Sequence, residues 1–166
     1  MLSRVEPEQL KSDLIIPWVI QGIMLATLAA FLIVCTAFGD QIKEPLPEVQ
    51  RVLIRTVLYV MAIVTFPLTN LIRHIQLRLN QTMPYSQGTP VKEAKNRYLV
   101  TVIVSMSLIE SVGIFGFVMF ILGDNFNTLY IFSGLSALGM FLYRPKMDEY
   151  AKVVEALTAQ IARQLK

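Results

Sequence analysis

The chain has 166 residues, of which 54% are apolar and only 16% charged, with a formal net charge of +3. Soluble domains carry about 25% charged residues, so this composition excludes an ordinary water-soluble globule, and its apolar content excludes a disordered chain. One cysteine, Cys35, and one histidine, His74, leave no internal disulfide and none of the Cys/His spacings that hold zinc; neither a metal nor a cofactor is expected.

A helix crosses a hydrocarbon core of about 30 Å with roughly 20 apolar residues. The first such run is 14–38, interrupted only by Gln21 and a few hydroxyls. Its approach mixes Arg4, Glu6, Glu8, Lys11 and Asp13, and the run outlasts the core of a signal peptide, so it reads as a retained span. Pro45 and Pro47 then stiffen an extended connection. The second run, 52–72, has Arg55 near its start and Pro67 inside it. Arg55 is expected to snorkel to the interface, and Pro67 to kink the helix. Cys35 is expected in packing, and His74 in solvent or against lipid phosphate.

Helical patterning continues to Asn80 and gives way to a turn-rich stretch over 83–88. Thr89-Pro90 reads as an N-cap followed by proline at the first helical position. The third run, 98–122, contains Glu110, and a tight turn at 123–125 leads into the fourth, 126–143. Pro145 can start a last helix over 146–166. In it Met147, Tyr150, Val154, Leu157 and Ile161 recur at steps of three and four, a heptad-like seam. That seam either packs on its own chain or the inner leaflet, or it docks a partner or a second copy.

Basic residues set the orientation. With both termini cytoplasmic, twelve of the fifteen lie inside, leaving Lys43, Arg51 and Arg55 outside. The expected fold is therefore all-α. Residues 1–145 form a four-transmembrane-helix bundle with N and C termini inside, and 146–166 a cytoplasmic amphipathic helix. The positive charge is accounted for by inner-face anchoring. With no aromatic–basic interleaving, nucleic acid is not an expected partner; the lipid bilayer is.

Glu110 lies near the middle of the third run. A charged side chain at that depth costs roughly 2.5–3.5 kcal/mol on insertion scales, and no Lys or Arg stands at matching depth. Thr27, Thr65 and Ser136 lie at similar depth, with Ser107 on the same helix face. Glu110 thus has two uses. Protonated, it hydrogen-bonds between helices; alternatively it binds and releases H⁺ or Na⁺. Small residues at helix-packing spacing, Gly113 and Gly116 on the third run and Ser133 and Ala137 on the fourth, permit close approach within the chain or between copies.

The segment Ile109-Glu110-Ser111-Val112-Gly113-Ile114-Phe115-Gly116-Phe117-Val118 resembles the ion-binding helix of rotary ATPase proteolipid (c-type) subunits. Those have a mid-membrane carboxylate followed by a small residue, an aromatic and glycine. The resemblance implies an ion-binding role for Glu110. The second run has no glycine, unlike the glycine-rich inner helix of those rings. That segment and Tyr143-Arg144-Pro145-Lys146 are also similar to uncharacterised four-helix bacterial membrane proteins, which implies the bacterial inner membrane. No Walker loop, Rossmann glycine set, GxSxG or HExxH occurs, so no enzyme is expected. The expected protein is a small membrane subunit that self-associates or joins a membrane complex, with Glu110 as its H⁺ or Na⁺ site. The alternative is a scaffold or accessory subunit in which Glu110 only bonds between helices.

Overall fold

A computed structural model describes residues 7–84 and 89–164; Arg4, Glu6, Lys166 and the 85–88 part of the expected turn lie outside them. The described residues form six helices: α1 (Pro7–Asp13), α2 (Ile15–Ile42), α3 (Glu48–Thr82), α4 (Pro90–Ile121), α5 (Phe126–Leu142) and α6 (Met147–Gln164). Among them are no strands. Three helical stretches, Leu10–Ile42, α3 and α4, are long and apolar enough to cross a membrane. A fourth arises only if α5 and α6, bent by 46° at their junction, count as one. At 17 residues and ~1.5 Å per residue, α5 is about 25 Å long, shorter than a typical hydrocarbon core.

The helices begin and end for local reasons. Pro7 opens α1 with Glu8 in its first turn, where the N–H that proline lacks is not needed and a carboxylate meets the positive helix end. α2 follows after a single intervening residue, Leu14, and tolerates Pro17 because the first turn's N–H groups have no intrahelical acceptor. It runs past the expected end at residue 38 to Ile42. Within this extension Phe120 packs directly against the backbone of Gly39: a Cβ there would lie 2.9 Å from the ring. α3 continues through Pro67 to Thr82. α4 starts at Pro90 behind an extended Thr89.

α4 is the axis of the bundle: it packs against α2, α3, α5 and α6. Two of the three apolar clusters divide its flanks. Toward α3 and α5, Val112, Met119 and Phe132 enclose Ala62, with Tyr59 stacked on Phe132 at 4.7 Å. Toward α2 and α5, Cys35, Phe120 and Leu129 form the second cluster, and Phe31 stacks on Phe117 at 4.8 Å. The third gathers at the α6 end, where Leu10, Leu14, Tyr98, Val102, Val153 and Leu157 are buried together. The outward faces of α2 and α3 carry large apolar side chains, Ile23, Ile33, Leu53 and Ile63 among them, each more than 60% exposed. So continuous an apolar surface marks a face that meets something other than water.

The opposite end is closed by loops. Gly123 has φ +88°, the left-handed region that glycine enters without strain. Pro45 packs so closely against it that a Cβ would lie 2.7 Å from the proline Cβ. Glu44 and Leu46 donate backbone bonds to Ile121 and Leu122 at 2.7 and 3.1 Å.

Candidate functional site

Glu110 is half-buried on α4. Three and seven residues on, Gly113 meets Leu28 of α2 and Phe117 stacks on Phe31 of α2. Residues at that spacing share a helix face, so Glu110 lies on the α2 flank of α4. Val100, Ile103, Ser107, Ile114 and Val118 are exposed along the neighbouring stripe. Glu110 therefore stands at the border between the α2 contact and the open surface of the bundle. Among the described residues its carboxyl makes no hydrogen bond and no ion pair.

The hydroxyls expected near it are engaged elsewhere. Thr27 donates to Ile23 O at 3.1 Å and Thr65 to Met61 O at 2.8 Å. Ser136 donates across the α4–α5 interface to Ile109 O at 3.0 Å. Thr65 stands on α3, which packs on the far side of α4 from the α2 flank. Ser107, one turn before Glu110, is exposed.

The small residues bring α4 and α5 together. A Cβ on Gly113 would overlap Leu28 Cδ1 and stand 3.2 Å from Ser136 Oγ. One on Gly116 would stand 2.8 Å from Phe132 Cβ and 3.2 Å from Leu129 O. Ser133 is buried and Ala137 half-buried. Gly139 belongs with them: Ile109 and Phe66 close over it.

The α6 seam is likewise filled within the chain. Tyr150, Val154 and Leu157 are buried with Val153 against Leu10, Ala94 and Tyr98, and Ile161 is half-buried. Two polar knots hold the helix there. In the first, Arg73, only 4% exposed, donates to Tyr143 O at 2.9 Å, to Arg144 O at 3.3 Å and to the Glu149 carboxylate at 2.6 Å. Tyr98 accepts from the Lys146 N–H at 2.8 Å. In the second, Asp13 accepts from Lys95 and from the Tyr150 hydroxyl, each at 2.9 Å. Burial, then this hydrogen bond and the charge of Asp13, raise the Tyr150 hydroxyl above the usual tyrosine range.

Sequence reasoning overlooked both knots, and a third at the loop end. Arg55, expected to snorkel, pairs with the buried Asp124 at 3.1 Å, while Arg51 donates to Gly123 O at 3.2 Å. An acidic residue in the tight turn was the available signal. The Asn80 end of α3 is fastened as well. Its amide donates to Arg97 O and Thr101 Oγ1, and Arg97, paired with Glu93, donates to Asn80, Met83 and Pro84 carbonyls.

Among the described residues no three His, Cys, Asp or Glu side chains gather where a metal ion could be held. Comparison of the chain with protein-family models, with curated proteins and with solved structures gives no match.

Proposed function

We propose that this chain is a small, non-enzymatic integral membrane protein, its termini cytoplasmic, that works in an assembly. The Glu110 carboxyl faces the neighbouring subunit or partner and serves there as an H⁺ or Na⁺ site. The outward apolar faces of α2 and α3 support membrane insertion, and the concentration of basic residues at the α6 end supports the orientation. One observation carries the functional reading: a half-buried carboxyl near the middle of the apolar part of α4, bordering an open face and without a partner inside the described chain. Polar groups at that depth find partners, and a neighbouring helix in the assembly supplies one.

Glu110→Gln tests the reading, because glutamine keeps size and hydrogen bonding and removes the titrating group. Native mass spectrometry in mild detergent reads assembly, and ion flux in proteoliposomes reads transport. The expected result is a wild-type assembly larger than a monomer, an E110Q assembly of the same mass, and loss of flux in E110Q. A wild-type monomer with no copurifying protein sinks the assembly. Undiminished flux in E110Q sinks the ion site and leaves the scaffold reading, in which the side chain only bonds across the interface.

A further inference from the structure

Where α1, α2 and the start of α6 meet, a surface cavity of about 540 Å³ opens, lined by Lys11, Ile15, Trp18, Arg144, Lys146 and Asp148 among others. Its two halves differ in chemistry. The upper half brings three cations together from α1 and the α5–α6 link. Among the described residues, Lys11 and Arg144 have no ion-pair partner, and Lys146 approaches Glu149 only at 4.0 Å. Glu149 is already held by Arg73 at 2.6 Å. Asp148 is the single carboxylate on the rim, so the lining carries a formal excess of two positive charges. The first turn of α6 also opens here, and a helix N-terminus adds partial positive charge.

The lower half is apolar. Ile15 and Trp18 are 58% and 48% exposed, and Val19 and Ile23 continue the same strip along α2. A tryptophan where a basic rim gives way to an apolar strip matches the residue preference of a membrane interface. Arginine and lysine together suit a phosphate diester, the guanidinium as a fork and the ammonium as a point charge.

We infer that this cavity binds the headgroup of an anionic phospholipid, its phosphate among Lys11, Arg144 and Lys146 and an acyl chain along Ile15, Trp18 and Val19. The inference rests on the membrane reading above. A free phosphate would use the cations and leave the apolar strip idle; a lipid uses both.

The test uses the full chain in mild detergent, titrated with phosphatidylglycerol or phosphatidylcholine and read by native mass spectrometry. Phosphatidylglycerol is expected to bind in preference. Each basic residue near an anionic lipid surface contributes about five-fold in affinity, so K11Q/R144Q should weaken phosphatidylglycerol about 25-fold. Asp148→Asn should strengthen it. K92Q/R163Q removes the same net charge elsewhere and should change little, and circular dichroism checks that each variant is folded. Equal affinity for the two lipids overturns the site, as does an equal loss in K92Q/R163Q, which would mean diffuse attraction only. Displacement by millimolar inorganic phosphate would reassign it to a soluble anion and overturn the lipid. Alkaline carbonate extraction tests the premise separately. A chain that leaves the membrane overturns the membrane reading and the lipid with it. A chain that stays, yet shows no lipid preference, overturns the lipid site alone.

Discussion

Replacing Arg73 by alanine should loosen α6 from the bundle. The guanidinium's hydrogen bonds end on the carbonyls of Tyr143 and Arg144, just past the end of α5, and on the carboxylate of Glu149, whose other donors, Tyr98 at 3.5 Å and Lys146 at 4.0 Å, are more distant. Carbonyls in the last turn of a helix lack intrahelical partners, and a cation there also faces the negative end of the helix. Removing one member of a buried ion pair costs about 3–5 kcal/mol. Glu149 is 21% exposed, so water recovers part of that loss and the lower end, about 3 kcal/mol, applies. At about 1.4 kcal/mol per factor of ten, opening of α6 should become about 100-fold more frequent. Hydrogen exchange of the α6 amides in detergent reads this directly. Arg73→Lys keeps the charge and loses the fork, so it should fall between wild type and alanine. A double cycle with Glu149→Gln isolates the pair from the carbonyl bonds. If α6 exchanges in R73A within about threefold of wild type, the knot does not hold the helix and the reasoning fails.

Glycines of α2 and α4 should rank by what surrounds them. Gly116→Ala pushes a methyl against backbone atoms of Leu129 and the Cβ of Phe132, and overpacking of this kind costs about 1–3 kcal/mol. Gly113→Ala meets chiefly the end of the Leu28 side chain, which can rotate away, so it should cost less. Gly22→Ala meets nothing within 4 Å and should raise the melting temperature slightly through helix propensity. Thermal melts in detergent that reverse this order would contradict the packing. Asp124→Asn should cost about 1 kcal/mol, reduced from the usual value for a charged bond because Arg55 is a third exposed; faster proteolysis near residues 123–125 is the check. Tyr150 predicts an alkaline effect. Its folded-state value is raised, while an unfolded tyrosine ionises near pH 10. The stability that neutral Tyr150 contributes is thus whole below about pH 10 and is lost as pH climbs toward the folded value. Wild type should lose α6 protection more steeply than Tyr150→Phe above about pH 10, and parallel curves would remove Tyr150 from the cause.

The helices were legible because apolar runs and helix-end signals are local. The run 52–72 lies inside α3, 98–122 spans the apolar part of α4, and Thr89-Pro90 opens that helix. The apolar run 14–38 stops four residues short of the end of α2 at Ile42, and the contact that keeps residue 39 without a side chain comes from the distant ring of Phe120. The knots were illegible for the same reason. Arg73 finds its partners 70 to 76 residues away, and Arg55 finds Asp124 at a separation of 69. Periodicity tells which face of a helix turns inward, and it is silent about which helix will be waiting there. The seam of α6 shows this limit: its spacing announced a covered stripe, and the covering turned out to be α4, α3 and α1. Glu110 is the reverse case. Its place midway along an apolar run was visible in the sequence, whereas its place at the border of the open face needed the positions of Leu28 and Phe31.

The central position of α4 also bears on how the chain comes into being. Among the described residues, α2 and α3 share at most a marginal interface, and each packs chiefly on α4. Synthesis delivers them first and α4 afterwards. A nascent chain that has released only its first two long helices holds a pair of apolar rods joined by a stiff proline link, with nothing yet to bind them. Lateral order arrives with the third, and α5 and α6 then close on a frame already standing. The interval before α4 emerges is accordingly the stretch of synthesis in which the faces of α2 and α3 that α4 will cover stand uncovered.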